Sequence, residues 1–350
     1  MFSPRDESAI LSELQDFSRL SVSKYEGTFE YDVFSANAIE FAKTEVELAQ
    51  MILAVFPHTS WGRYLTLGAS AHGIDRKLAV ESQGEVVIKG SVGTTIARGS
   101  QFSTDDNTVF VTRQDYTIGS TGAVTAVIYA QNAGVVGNVA EGTIKNIPLS
   151  IPGVASVNNA AATHDGYDEE SDESLLNRLL LHVRNPGTSG NSSHYREWSL
   201  AVPGVGAIKV QPLWNGNGTV RVLILDVNKD AASESLIKQV SEYIEVRRPI
   251  GATVTVVAPM IQSINIEVSV KPVSDKSEYK TVLYNAVNRY FTDVGFDSDN
   301  ISIAQVGKAL LSTGVIDDYE SLTINSAIKN ISINADSIPR IGNFEVTTIA

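Results

Sequence analysis

Cysteine is absent from the 350 residues. That excludes a disulfide framework and any thiolate metal site, and it leaves the redox compartment open. Histidine is scarce: His58, His72, His164, His182 and His194 include no H-E-x-x-H and no pair four apart, so no metal and no zinc chemistry is expected. No apolar run approaches the ~18 residues of a membrane span, and Met1-Phe2-Ser3-Pro4-Arg5-Asp6-Glu7 has no basic stretch ahead of an apolar core. The expectation is a protein made in the cytosol without a membrane anchor. Basic residues are in deficit, 27 against 40 acids, for a formal charge of -13. A surface of that sign repels phosphate backbones and anionic lipid, so the expected partners are proteins, not nucleic acid.

What is present begins with helices. Ile10, Leu14, Phe17 and Leu20 fall at helical spacing after Ser3-Pro4, and that helix should end before Tyr25-Glu26-Gly27. A second helix is expected over about 35 to 56, with two apolar rows. Ile39, Ala42, Val46, Ala49, Leu53 and Phe56 alternate spacings of three and four, as in a short coiled-coil seam. Phe41, Leu48, Ile52 and Val55 make a second row roughly 120° around the helix. Such a helix touches two neighbours, either both within this chain or one in another subunit.

From Gly84 the period becomes strand-like, in Glu85–Ile88, Thr94–Ile96, Thr108–Thr112 and Ala123–Tyr129, separated by Gly, Ser, Asp and Asn. This reads as a small antiparallel β domain closed by the segment 134–142. The run from Gly153 to Val210 follows: an apolar strand end, acids from Asp165 to Glu173 ahead of Leu176, Leu179, Leu180 and Val183, a helix stop near Arg184-Asn185-Pro186-Gly187, and a helix bearing Tyr195 and Trp198. Acids at a helix start favour the positive end of its dipole by ~0.3–1 kcal/mol each. Strands 207–210 and 220–225 meet across Asn215-Gly216, a strong hairpin signal, and a helix over 233–247 and a strand over 249–257 complete a β-β-α-β layer. The last part repeats the theme: a strand over 261–270, a helix over 277–291, a helix opened by Ser302-Ile303-Ala304-Gln305 as a capping box, and strands over 319–324 and 344–349.

Several arrangements invite chemistry, and the bland reading suits each better. Asp165, Asp168, Glu169, Glu170, Asp172 and Glu173 lack calcium-loop spacing and read as dipole partners and solvated charge. No second carboxylate segment stands out for glycoside cleavage. Gly68-Ala69-Ser70-Ala71-His72-Gly73 is not G-x-S-x-G, and Gly204-Val205-Gly206 lacks the third glycine of a dinucleotide fingerprint and precedes a strand. No catalytic, cofactor-binding or metal residue is therefore assigned. The aromatics matter more, because they dominate the energetics of cores and interfaces. With the helical rows they give the candidate interface: Ile39, Phe41, Val46, Leu48, Leu53, Phe56, Trp61, Tyr64, Tyr195, Trp198 and Trp214.

One order of motifs is specific. The Gly153-Val154 strand end, the acidic helix start leading to Arg178, Gly190-Asn191 with Tyr195 and Trp198, and Val202-Pro203-Gly204-Val205-Gly206 resemble the baseplate J-like family. Gly62-Arg63-Tyr64-Leu65 and Gly73-Ile74-Asp75-Arg76 resemble its G-x-Y-L and G-I-x-R pair, with Trp61 and Thr66 departing from it. Gly93 to Phe102 resembles its G-T-x-I-P-A-G-T-x-F turn, with Ala97 and Arg98 in place of Pro-Ala, so Gly99 must supply the bend. The resemblance implies a structural wedge component of a contractile-tail baseplate rather than an enzyme, without cofactors. It implies copies that pair into a dimer or ring through C-terminal and helical regions, bind a second wedge protein, and meet hub and sheath-proximal proteins. The place so implied is a virion or phage-tail-like particle assembled in the bacterial cytoplasm. A β-rich receptor-binding adhesin or a cell-wall carbohydrate-active tail enzyme are the alternatives.

The expected fold is multidomain α+β: an N-terminal helical region (1–83), an inserted antiparallel β domain (84–152), a central α+β domain (153–258) and a C-terminal α+β domain (259–350) that carries pairing or ring contacts.

Overall fold

A computed structural model describes residues 2–19, 21–185, 187–273, 278–296 and 298–349. The chain divides into two compact units, residues 1–76 with 170–183 and residues 77–169 with 184–350.

The first unit is helical. Helix α1 (Glu7–Phe17) starts on Asp6, whose side chain accepts the Ala9 N–H at 2.8 Å. Helix α2 (Phe29–Val55) runs 27 residues, about 40 Å at 1.5 Å per residue. It begins before the residue 35 expected from its seams, because the Thr28 hydroxyl caps the Tyr31 N–H and Glu30 and Asp32 occupy its first turn. The expected first-helix residue Leu20 lies outside the described residues. Helix α3 (Gly62–Ser70) and helix α4 (Asp172–Arg184) share a small core of Leu65, Ala69, Leu175 and Leu179. The apolar repeat expected from Leu176 to Val183 is thus turned by one residue: Leu175 is buried and Val183 is exposed. Asp172 fixes that rotation by accepting the Gly62 N–H at 2.8 Å and Arg76 Nη2 at 2.5 Å. Pro186, expected at the helix stop, lies outside the described residues.

The second unit opens with the β domain. Strands β1 (Gln83–Gly90), β2 (Thr95–Ile96), β3 (Gln101–Ser103), β4 (Val109–Thr112), β5 (Tyr116–Thr117), β6 (Ala123–Ala130) and β7 (Val154–Asn158) follow in sequence. Five form an antiparallel sheet ordered β3-β4-β6-β1-β7, and β2 pairs with β5. Their inward residues, among them Val86, Ile88, Phe102, Phe110 and Ile128, make one core. Gly99 adopts φ +86 and donates to Thr112 O at 2.8 Å, making the bend without proline. The strand at 154–158, placed by sequence at the head of the central domain, pairs instead with β1. Its Val157 is buried in that same core.

Helix α5 (Ser192–Ala201), strands β8 (Val205–Pro212) and β9 (Thr219–Asp226), helix α6 (Glu234–Glu245) and strand β10 (Thr253–Val257) build the next layer. The sheet is ordered β10-β9-β8; β8 and β9 form the expected antiparallel hairpin, and β10 returns parallel to β9 through α6. Leu236, Val240 and Ile244 of α6 pack on Val222 and Ile224.

Strand β11 (Met260–Pro272), helix α7 (Tyr279–Val294), strand β12 (Asn300–Ile301), helix α8 (Ile303–Leu311) and strands β13 (Ile316–Ile324), β14 (Ile331–Ser332) and β15 (Ser337–Thr348) complete the chain. The main sheet is ordered β13-β11-β15. Ile264, Ile266, Val268 and Val270 face the helices, while Asn265 and Glu267 lie on the exposed face. Ser277, the expected first residue of α7, lies outside the described residues. The capping box at α8 is half formed: Ser302 Oγ accepts the Gln305 N–H at 3.4 Å, but the Ser302 N–H goes to Tyr290 Oη at 3.2 Å. A tertiary acceptor has taken the place of the glutamine side chain. The architecture is multidomain α+β.

Candidate functional site

Helix α2 buries one residue fully, Ala38. Helices α1 and α3 pack against it, and Arg5 ties α1 to it, donating from its Nε to Glu45 at 2.9 Å and pairing with Glu13. The two apolar rows fare differently. In the first, Ile39, Ala42, Ala49 and Leu53 are half-buried, with Val46 and Phe56 exposed. In the second, Phe41 is 51% and Leu48 46% exposed, and Val55 is more open still. The sequence reading missed Phe29, Val33 and Met51, which are also exposed. At ~100° per residue they join Phe41, Leu48 and Val55 in one stripe spanning roughly 120°. The signal was available in the Thr28 cap, which extends the helix far enough to bring Phe29 and Val33 into line. Asn37, Glu40, Thr44 and Glu47, also exposed, fall within the same sector and alternate with its apolar residues.

The aromatic candidates separate by burial. Trp61 and Tyr64 are exposed and meet edge to face at 5.6 Å at the start of α3. Trp214 is exposed beside the hairpin turn, with the Arg221 guanidinium 4.7 Å over its ring. Tyr195 requires a correction. It is 1% exposed and belongs to the core of the β8–β9–β10 layer, in edge contact with half-buried Trp198 at 5.2 Å. On the same helix His194 stacks on Trp198 with ring centroids 4.3 Å apart. Burial raises the Tyr195 hydroxyl pKa. Tyr195 and Trp198 hold α5 in place; they do not offer a free surface.

The acidic run is more structural than the dipole reading allowed. Glu170 is buried and receives Arg178 Nε at 2.7 Å, Arg178 Nη2 at 2.6 Å and the Ser174 hydroxyl at 2.8 Å. Arg76 reaches Asp172 and the Glu170 carbonyl, so Arg76 and Arg178 join α3 to α4. The Gly62 N–H, then Arg76, hold the Asp172 carboxyl below the usual carboxylate range. In the second unit, Asp165 accepts Ser233 Oγ at 2.9 Å, and Asp168 accepts the Val135 N–H at 2.9 Å. Burial, with Asp165 adding to it, pushes the Tyr167 hydroxyl well up. Among the described residues these carboxylates do not gather into a group of three able to hold a metal. Asp165, Asp168, Glu170 and Asp172 each have their own hydrogen-bond donors.

Comparison with known proteins accords with this build. Three family models match in order: the baseplate J-like protein barrel domain over residues 85–166, the baseplate J-like central domain over 187–258, and the baseplate J-like protein C-terminal domain over 263–347. The chain belongs to the baseplate J-like family. It is 30% identical over 358 residues to the uncharacterized protein YqbT of Bacillus subtilis, covering 99% of each chain. It is equally 30% identical over 359 residues to the phage-like element PBSX protein XkdT of the same organism, again covering 99% of each. With baseplate protein gp47 of Escherichia phage Mu it shares 28% identity over 264 residues, 71% of this chain and 72% of that one. Among solved structures, a chain of the anti-feeding prophage baseplate matches with a TM-score of 0.46 and 10% identity, covering 96% of this chain and 90% of that one.

Proposed function

We propose that this protein is a structural wedge component of a contractile-tail baseplate, in a virion or a phage-tail-like particle, with no catalytic role. Relatives named as baseplate and phage-element proteins support the setting. The observation that carries the mechanism is the set of large apolar side chains left uncovered on one face of α2, interleaved with Glu40, Thr44 and Glu47, since large apolar side chains grouped on an exposed helix face mark association. In this reading helices of a second copy and of a second wedge protein cover Phe41, Leu48 and their neighbours, as two-seam helices do in bundles. Trp61, Tyr64 and Trp214 lie at further contacts. The C-terminal domain joins wedges into a ring around the hub, beneath the sheath. The domain divisions 1–83, 84–152, 153–258 and 259–350 belong to this proposal, with the boundary at 152/153 moved beyond β7. Receptor contact would then move peripheral parts and change the ring's diameter, and packed elements with two stable arrangements transmit such displacements.

Deleting the gene in a strain that makes the particle tests this. The reading predicts sheathed tails without baseplates, or no assembled tails, and rescue by the wild-type chain but not by Phe41→Ser/Leu48→Ser. Normal, contraction-competent particles from the deletion strain would refute it.

A further inference from the structure

The β8–β9 hairpin tip and the loop after α6 come together at one end of the central layer. The Thr253 N–H donates to Gly218 O at 2.7 Å, and a Cβ on Gly218 would lie 3.1 Å from Gly251 O. Four apolar side chains stand out there: Leu213, Trp214, Val246 and Ile250, the last 106% exposed. Leu213 also holds φ 57, a left-handed backbone that a leucine side chain adopts at a cost. Leu213 is 61% exposed, so packing offsets little of that strain. Exposed apolar bulk held in a strained turn is the pattern of a functional loop on a rigid layer.

Charge narrows the occupant. In a chain of net charge -13, this tip is basic. Glu245 neutralises Arg248, with oxygens 2.7 Å from Nε and 2.6 Å from Nη2. Arg247 is exposed, lies 3.6 Å over the Tyr243 ring and donates to Tyr243 O at 2.9 Å, leaving its charge unneutralised by any carboxylate among the described residues. Two tips pairing face to face would set Arg247 against Arg247. The chain's own acidic apolar surface is the α2 stripe, which the proposed function already engages.

We propose that this tip, through Leu213, Trp214, Val246, Arg247 and Ile250, docks into an acid-rimmed apolar recess on a different protein of the same particle. The proposal rests on the baseplate reading and adds a second contact, remote in sequence from α2. A photo-crosslinking amino acid at position 250, in a strain making the particle, reads the neighbour directly; position 106, exposed on the β domain, serves as control. The expected product joins residue 250 to a peptide of another particle protein in which Asp or Glu lies beside apolar residues. A crosslink to a second copy of this chain, to a non-acidic peptide or to carbohydrate, or a yield no higher than at 106, overturns the proposal.

Variants give an independent readout. Ile250→Ser with Arg247→Glu should leave the unfolding temperature unchanged and lower incorporation into sedimented particles at least tenfold. Leu213→Gly, which relieves the backbone, should unfold at or above the wild-type temperature and still incorporate poorly. Undiminished incorporation of these variants contradicts the tip contact alone. A wild-type chain missing from the particles would instead defeat the baseplate reading.

Discussion

Glu170 and Arg178 have side chains 2% and 10% exposed, and the energetics of such a pair are asymmetric. Removing Arg178 strips the buried Glu170 carboxylate of two charge-assisted hydrogen bonds, and breaking a buried pair from one side costs ~3–5 kcal/mol. Arg178→Ala should therefore destabilise the helical unit by about that amount in a urea titration followed by far-ultraviolet circular dichroism. A loss under 1 kcal/mol would mean that water solvates the site. Asp172 adds a pH dependence of fixed sign. Its folded pKa is lowered by the Gly62 N–H and Arg76, so its contribution is complete above the ordinary carboxylate pKa of about 3.9 and is lost as pH falls through the lower folded value. Asp172→Asn should flatten the acid limb of the stability profile in that window, and an unchanged limb would contradict it. Gly204 shows a third constraint. With φ +91 and a Cβ position 2.5 Å from the Tyr167 ring, Gly204→Ala forces either backbone strain or ring displacement. Thermal unfolding should fall by several degrees, as expected for ~1–3 kcal/mol.

At the scale of elements, the α2 stripe and the cores make opposite predictions. Leu48→Ser on the exposed stripe should change the stability of the isolated chain by no more than ~0.5 kcal/mol, yet block assembly. Val240→Ala in α6, fully buried against β9, should cost about 1–3 kcal/mol by thermal unfolding. Much of this was legible in the sequence. Alternation through Ile264 to Val270 and the Asn215-Gly216 turn have local causes, and the elements formed where those causes act. The failures have tertiary causes. Leu175 rather than Leu176 faces α3 because Asp172 and Arg76 set the rotation of α4. The Ser302 N–H found Tyr290 across space. Val154–Asn158 went to β1, a strand far upstream. Tyr195 shows the same limit at a candidate site: an aromatic on an amphipathic helix reads alike whether its cover is the chain itself or a partner.

Across the whole molecule, polar ties join the central layer to the C-terminal sheet within the second unit. Gln211 Nε2 donates to Asp336 Oδ1 at 2.7 Å, and Arg221 pairs with the same carboxylate. Arg340 Nη2 reaches Asp230 Oδ1 at 3.0 Å from the other side. These ties hold the two layers of the second unit together. The family was legible because short motifs around turns and helix starts carry it. The domain's partners were not, because two chains with the same amphipathic helix differ only in what covers it. The baseplate reading stands or falls on physical presence in the particle. Sheathed particles purified from a producing strain, with their subunits counted by quantitative mass spectrometry, should contain this chain in fixed ratio to hub and second wedge proteins. Its absence from intact particles, with the chain abundant in the same lysate, would contradict the account.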